Sequence, residues 1–163
     1  MKRLPFVLIA LLSFVCSAHN ATQNPKTTVG VTVEGGDSMA AQVDMVIRSR
    51  LRQLGQVRVQ DQNPDYKMEI TLVPVIIGNT PKGYAMGIAI FAPYNPARFR
   101  ALLGDGLDPK TLDAVDERLR GTSFHIKSGI ESGSTRDVDD MCASAVATVD
   151  RYAIEPMRQK LRR

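Results

Sequence analysis

The amino-acid sequence predicts an α+β fold, a two-layer sandwich in which a mixed sheet of about five strands carries two main helices on one face. Two observations predict this class. Apolar and polar residues alternate in five separate segments, which is the period of half-buried strands. Two longer segments repeat their apolar residues every three or four positions, which is the period of amphipathic helices. The predicted order is β-α-β-β-β-insertion-β-α.

The N-terminal segment has the pattern of a secretory signal peptide. Lys2 and Arg3 precede an apolar run over residues 4–15, and small residues follow. Because such a run is shorter than a membrane span, we expect residues 1–18 to be cleaved near Ala18. The protein is therefore predicted to be exported, and to be periplasmic or secreted.

The two cysteines bear on how an exported chain matures. Cys16 offers lipidation as an alternative to cleavage, although Val15 stands where lipoprotein signals place a small residue. If cleavage removes Cys16, then Cys142 has no partner for an intramolecular disulfide. Cys142 falls on the apolar face of the last helix, so we expect a buried thiol.

A polar stretch at residues 19–28 is predicted to be a flexible leader, and residues 29–157 a single domain. The first strand extends over Thr27–Glu34, where valines alternate with polar or small residues. The first helix follows and ends at Gly55, because glycine is the usual residue just beyond a helix.

The loop Gly35-Gly36-Asp37-Ser38 lies between that strand and that helix. A P-loop requires a lysine to reach the phosphates, and this loop has none. A dinucleotide-binding loop requires G-x-G-x-x-G, and the middle glycine is absent. We therefore interpret the loop as a turn in which Asp37 or Ser38 caps the helix.

Three strands follow the first helix. A short one at Gln56–Gln60 should be parallel to the first, because a strand-helix-strand crossover joins parallel strands. A long one at Tyr66–Ile77 contains Pro74, which predicts an edge or a bulge near its end. In the third, Tyr84–Phe91, one face consists of Gly and Ala, and we expect a helix to pack against that face.

Residues 92–121 interrupt the strand pattern and are predicted to be a helical insertion. Asp108-Pro109 is a favourable helix start, and Gly121 a favourable end. The last strand is predicted over Thr122–Ser132.

The second long helix is predicted to begin at a capping box formed by Ser134 and Asp137. Pro156 should stop or kink it. A basic tail at residues 158–163 is expected to be solvated, with weak contact to an anionic surface as a possible role. The cations of this tail are Arg158, Lys160, Arg162 and Arg163.

Composition disfavours two classes of protein. The formal net charge is +4 at pH 7, and without Lys2 and Arg3 the 21 cations fall to 19 against 17 acidic residues. So small a balance, without tryptophan, does not predict a protein that binds nucleic acid. No second apolar run is long enough to predict a transmembrane segment.

Catalytic and metal sites are not indicated. His19 and His125 are the only histidines, and neither lies near a nucleophile motif or in a spaced ligand cluster. Copper binding by an N-terminal His19 with His125 is a minor alternative. The pairs Asp116-Glu117 and Asp139-Asp140 are adjacent in sequence, so their side chains diverge on a helix. We therefore expect no cofactor and no enzymatic activity.

The segment "QVRVQDQNPDYKMEITLVPV" combines a short strand, a turn ending in Asp65-Tyr66 and a longer strand. This pattern, over Val29 to about Phe91, resembles the amino-terminal domain of TolB and the core of the curli-secretion lipoprotein CsgG. The chain departs from these families because it has no lipobox cysteine, no following propeller, and an added insertion. The resemblance implies an envelope domain that works by contact rather than catalysis.

The hypothesis is a non-enzymatic, exported interaction or envelope-assembly accessory protein, which docks another envelope or exported protein through its sheet edge and its insertion. An inhibitor or immunity protein is a special case. The alternative is a carrier of a small apolar ligand or lipid, with a pocket between sheet and helix lined by the Gly and Ala face. Aromatics near the insertion either form the contact or fold back to seal the core. The candidate partner-binding residues are Tyr84, Phe91, Tyr94, Phe99 and Leu102.

Overall fold

The computed structural model describes residues 27–36, 38–103 and 108–161, and it confirms the α+β two-layer sandwich. The signal peptide, Cys16, His19 and Asp37 lie outside the described residues. The strands are β1 Thr27–Glu34, β2 Val57–Val59, β3 Tyr66–Ile77, β4 Thr80–Pro93 and β5 Ser123–Ser134. The helices are α1 Ser38–Gln53, α2 Pro96–Leu103, α3 Pro109–Leu119, α4 Val138–Val149 and α5 Glu155–Leu161. A 3₁₀ turn, Thr135–Asp137, precedes α4, and a π turn, Asp150–Ile154, joins α4 to α5.

The sheet has the order β2-β1-β3-β4-β5. β1 is parallel to both β2 and β3, as the strand-helix-strand prediction requires. β4 is antiparallel to β3 and to β5. The expectation for Pro74 is confirmed, because β1 pairs with β3 only as far as Thr71 and a bulge lies between Val75 and Ile76.

The core lies between one face of the sheet and helices α1 and α4. Facing pairs on β3 and β4, such as Met68 with Ile90 and Ile70 with Ile88, are buried beneath the helices. From the helix side, Ile47 of α1 and Cys142 of α4 are fully buried. Cys142 is therefore a buried core residue, as the sequence predicts. Its burial raises the pKa of the thiol to about 11.

The Gly and Ala face of β4 lies on the side of the sheet away from these helices, and the prediction of helix packing there is wrong. Ala85, Gly87 and Ala89 alternate with residues whose side chains enter the core, so they line the opposite, open face. Only a shallow trough lies over Gly87, between Thr71 and Ile130. The predicted carrier pocket between sheet and helix therefore lacks the wall that was assigned to it.

Pro156 does not stop the last helix, which continues to Leu161. The π turn supplies the reason, because its wider backbone leaves Glu155 donating to the carbonyl of Asp150, five residues back. This wider turn accommodates the proline ring and its missing N–H.

Arg158 is not a free cation of a solvated tail. Its guanidinium pairs with Asp150 at 2.9 Å and with Glu155 at 3.3 Å, and its side chain is only 18% exposed. It also donates to the side chain of Gln56 at 3.1 Å. The anionic-surface role is therefore corrected for Arg158, while the Lys160 side chain, Arg162 and Arg163 lie outside the described residues.

The predicted caps before α3 and α4 are confirmed, whereas the cap predicted for α1 involves Asp37, which lies outside the described residues. Asp108 accepts hydrogen bonds from the backbone N–H groups of Lys110 and Thr111, ahead of Pro109. Ser134 and Asp137 form a capping box at the start of the 3₁₀ turn. Among the described helices, none is long and apolar enough to cross a bilayer.

Candidate interaction surfaces

The predicted aromatic cluster divides between separate places. Tyr94 and Phe99 do meet, edge to face, with ring centroids 5.5 Å apart. Phe124 of β5 joins them, 6.4 Å from Tyr94. Phe124 was not among the predicted contact residues, because it belongs to the last strand and is distant in sequence from the start of the insertion. We call Tyr94, Phe99 and Phe124 the insertion cluster.

The remaining predicted residues lie elsewhere. Phe91 is on the open face of the sheet, with its ring 5.7 Å from that of His125. Tyr84 packs against the core near the other end of β4. It is ten residues from Tyr94, or roughly 33 Å along an extended strand. The side chain of Leu102 lies outside the described residues.

Charged side chains hold the insertion together. The Tyr94 hydroxyl donates to Asp116 of α3, and Arg100 of α2 pairs with Asp116 and, at 2.8 Å, with Asp113. Desolvation, followed by the hydrogen bond to Asp116, raises the pKa of Tyr94 to about 12. The same hydrogen bond, followed by Arg100, lowers the pKa of Asp116. Helices α2 and α3 are thus clamped to each other.

Asp65 ties the insertion to the sheet. Its carboxylate accepts from the backbone N–H of Thr28 at 2.8 Å and from the Thr28 hydroxyl at 2.9 Å. Its other oxygen pairs with Arg98 of α2 at 2.8 Å. The Arg98 guanidinium lies over the Tyr66 ring, 5.6 Å from its centroid. Asp65 and Tyr66 therefore have a structural role here.

An open cleft of about 420 Å³ lies where the insertion leaves the sheet. Pro64, Pro93, Pro96 and Tyr94 give it stiff, largely apolar walls, and Arg98 stands at its margin. The cleft is a feature that no single motif in the sequence indicates, because its walls come from two distant loops.

The described residues of helix α3 do not seal the core. No residue of α3 is buried, and Leu112, Val115 and Leu119 are only half-buried. The buried core lies instead beneath α1 and α4. Of the two expectations for this lobe, the structure therefore does not support the one in which it folds back as a lid.

The most exposed run of apolar side chains lies at the opposite end of the sheet. β1 pairs with β3 no further than Thr71, and β5 pairs with β4 only from Gly83 onward. The β3–β4 hairpin therefore extends past both neighbours, and we call residues 73–82 the arm. Its exposed apolar residues are Val73 (53%), Val75 (39%), Ile76 (58%) and Ile77 (65%).

Sequence reasoning did not identify the arm. The available signal is the loss of alternation after Leu72, where apolar residues follow one another through Ile77. Such a run also fits a buried strand, and only the lengths of β1 and β5 decide the matter. The arm is closed by a two-residue turn in which Gly78 has φ +64°, a conformation suited to glycine.

Metal ligands do not converge in the part of the chain that the structure describes. No group of three or more His, Cys, Asp or Glu residues there has the geometry of a metal site. His125 contacts Phe91 instead.

No protein-family model matches the chain, and no curated protein matches it. Among solved structures, the chain is similar to the hypothetical protein CT253 from Chlamydia trachomatis, with 10% identity and a TM-score of 0.47, over 78% of this chain and 97% of that one. It is also similar to a PelC dodecamer from Paraburkholderia phytofirmans, with 14% identity and a TM-score of 0.41, over 78% and 85% of the two chains. Neither likeness is close enough to assign a function.

Proposed function

We propose that this protein is a non-enzymatic, exported protein that acts in the cell envelope by contact with another envelope or exported protein. The observation that carries the proposal is the arm, which exposes four large apolar side chains within five consecutive residues. Monomeric proteins rarely leave such a patch uncovered unless it contacts a partner. Export rests on the signal-peptide pattern of residues 1–18.

The chemistry of the arm fits a protein partner better than a lipid bilayer. Its outermost residues, Gly78, Asn79 and Thr80, are polar or lack an apolar side chain, and Lys82 follows. A hairpin that enters a bilayer requires apolar residues at its tip, whereas here they lie along the shaft. The partner therefore needs an apolar groove that accepts the sides of the hairpin.

Side chains rather than backbone form this contact. Pro74 lacks a backbone N–H, and the bulge between Val75 and Ile76 interrupts the regular edge of β3. Both features disfavour the addition of a partner strand along that edge. The partner is expected to recognise the Val73, Ile76 and Ile77 side chains.

The insertion cluster is the second candidate contact. Tyr94 and Phe99 already pack on each other, and the Tyr94 hydroxyl is occupied by Asp116. Their half-buried rings offer a partner less uncovered apolar surface than the arm does. The arm is therefore the surface to test first.

The test is crosslinking in intact cells, comparing an Ile76→Ser/Ile77→Ser arm variant with a Phe99→Ser/Leu102→Ser insertion variant. Met45→Ser is the matched control, because Met45 is an equally exposed apolar residue on α1. We expect the arm variant to lose the crosslinked neighbour, and the other two variants to retain it. Circular dichroism shows whether each variant is folded.

Retention of the neighbour by a folded arm variant would contradict the proposal for the arm. Loss in the insertion variant alone would transfer the contact to the insertion cluster. Flotation with vesicles of phosphatidylglycerol and phosphatidylethanolamine separates the bilayer from a protein partner. Binding to these vesicles that disappears in the arm variant would make the bilayer the occupant.

A further inference from the structure

We infer that β5 is the interface of a symmetric dimer, in which the β5 strands of two copies pair antiparallel about a two-fold axis at Gly129. The two sheets then join into one, with α1 and α4 of both copies on the same side. This inference goes beyond the proposed function and concerns a different part of the molecule from the arm.

The first observation is that side chains hydrogen-bond to backbone groups at one edge of the sheet and leave most of the other edge uncovered. At the β2 edge, the backbone of β1 beyond β2 is covered by side chains. Arg48 donates to the backbone carbonyl of Val31 at 2.7 Å, and Asp61 accepts from the backbone N–H of Val31 at 3.4 Å. Arg48 and Asp61 also pair with each other at 3.0 Å. The backbone N–H and C=O groups of Val31 on this edge are therefore satisfied within the chain.

Over residues 123–133 the β5 edge has no such cover from the described side chains, and only at its end does Asp137 accept a hydrogen bond from the backbone N–H of Ser134, at 2.8 Å. β5 is 12 residues long, contains no proline, and has a neighbour, β4, on one side. Its bulge at Ile126 lies outside residues 127–131, the segment that would pair about Gly129. Residues 123–130 are all exposed. A long edge strand with free N–H and C=O groups is a template for another strand.

Charge then selects the second copy as the occupant and sets the register. Along β5, every second residue directs its backbone N–H and C=O groups outward, and two directly opposed residues must match in this respect. In a symmetric pair, the two-fold axis therefore passes between a residue and the same residue of the second copy. An axis at Lys127 or at Glu131 would place like charges opposite each other. An axis at Gly129 places Lys127 opposite Glu131 of the second copy, and it does so twice. Axes at Ser128 or Ile130 form neither pair.

Lys127 and Glu131 are already positioned for these cross-strand pairs. Their β4 partners, Ile90 and Met86, are buried, so both side chains lie on the helix side of the sheet. The Ser144 hydroxyl donates to Glu131 at 2.7 Å, and the Lys127 ammonium lies over the Tyr152 ring at 5.2 Å. Because these contacts restrain both side chains at the edge, pairing costs less conformational entropy.

The centre of the interface is sterically open. No atom lies within 4 Å of the position that a Cβ would occupy on Gly129. With the axis there, Ile130 lies opposite Ser128 of the second copy. Ile130 is 81% exposed, the highest value among the large apolar side chains described as exposed. Pairing therefore gives this side chain a neighbour on the open face.

Single cysteines test the register by self-crosslinking under mild oxidation. Directly opposed residues in an antiparallel pair have Cα atoms about 4.5–5.5 Å apart, which a disulfide spans. Gly129→Cys is expected to form covalent dimers, because residue 129 faces itself. Ser128→Cys and Ile130→Cys should crosslink to each other in a mixture but not to themselves. All variants carry Cys16→Ser, and the buried Cys142 thiol does not compete.

Charge exchange tests the same register in solution by sedimentation equilibrium. Lys127→Glu is expected to raise the dimer dissociation constant about tenfold, because like charges opposed across strands destabilise a pair at two symmetric sites. The double variant Lys127→Glu/Glu131→Lys should restore dimerisation. Lys67→Glu, on the exposed side of β3, is the matched control and should leave the constant unchanged.

Three results would overturn the inference. Sedimentation of the wild-type protein as a monomer at about 100 µM would contradict the proposed dimer. Self-crosslinking of the Ser128→Cys or Ile130→Cys variant would contradict the register with its axis at Gly129. A dimer whose dissociation constant is indifferent to folded Lys127→Glu places the interface elsewhere.

Discussion

Single carboxylates in this protein connect elements that are distant in sequence. Asp65 joins β3 to β1 through Thr28 and to α2 through Arg98. Asp61 and Arg48 close the edge of β1. Exposed ion pairs contribute little on their own, but a carboxylate that accepts a backbone N–H forms a stronger, charge-assisted hydrogen bond. Asp65 therefore attaches the insertion to the sheet, while Asp61 and Arg48 stabilise the edge of β1.

Tyr94 provides the prediction at this scale. A spectrophotometric titration of the tyrosines should contain a component near pH 12 that disappears in Tyr94→Phe, because the pKa of Tyr94 is raised to about 12. Tyr152→Phe, on an exposed ring of the π turn, is the control and should retain that component. A titration curve unchanged at high pH in Tyr94→Phe would show that the pKa of Tyr94 is not raised.

The same pair sets the pH range in which the insertion is stable. The raised pKa of Tyr94 means that its contribution is complete below pH 10.0, the ordinary value, and is lost as the pH rises towards about 12. The lowered pKa of Asp116 means that its contribution is present above pH 3.8 and is lost as the pH falls through the folded-state pKa. Tyr94→Phe should therefore flatten the loss of insertion structure at both extremes.

At the scale of elements, β4 is the strand on which the geometry is tightest. A Cβ added to Gly83 would lie 2.0 Å from the carbonyl oxygen of Gly133 on β5, far inside contact distance. A Cβ on Gly87, in the same strand, would meet its nearest atoms at 3.8 Å. The two glycines therefore have different reasons to be present.

Gly83→Ala and Gly87→Ala make a matched pair for urea denaturation. Gly83→Ala is expected to lower the free energy of unfolding by about 3 kcal/mol or more, because backbone cannot move away from the added methyl group. Gly87→Ala should be neutral or stabilising by up to about 1 kcal/mol, since alanine loses less backbone entropy. Equal stabilities for the two variants would contradict the close approach of β4 and β5.

These elements also show what the sequence alone permits. Alternation located all five strands, and cap chemistry located the starts of α3 and α4, because both signals are local. The arm escaped prediction because its exposure depends on where β1 and β5 end. On β4, the Gly and Ala face was predicted to lie under a helix, whereas the helices cover the opposite face. Small residues do not distinguish these cases, since they fit either a closely packed helix or an open face. Pro156 does not stop the helix as one of its two predicted effects required, because the π turn that accommodates it is not encoded in any local pattern.

At the scale of the whole molecule, the candidate surfaces occupy different sides of one sheet. The arm extends from the end at which β3 finishes, and the insertion from the end at which β4 finishes. β5 forms the long edge between them, and the helices occupy one face. A partner held by the arm and a second copy held by β5 therefore do not compete for the same residues.

Deletion of the insertion tests this separation. Pro93 and Ser123 face each other across β4 and β5, so an Asn-Gly turn can replace residues 94–122 and close a two-residue hairpin. We expect the circular dichroism spectrum of the shortened protein to lose only the helical signal of α2 and α3. Unfolding should stay cooperative, because the core lies beneath α1 and α4. Loss of the Arg98–Asp65 pair should reduce the free energy of unfolding by about 1.5–3 kcal/mol.

Ile70→Ala shows what damage to the core itself looks like, since removal of a fully buried isoleucine costs about 2–5 kcal/mol. If the variant that lacks residues 94–122 instead loses cooperative unfolding and binds a hydrophobic dye, the insertion contributes to the core. In cells, the deletion should keep the neighbour that crosslinks through the arm. This outcome follows because Val73–Ile77 and the described residues of the insertion lie towards opposite ends of β4, roughly 30 Å apart along the strand.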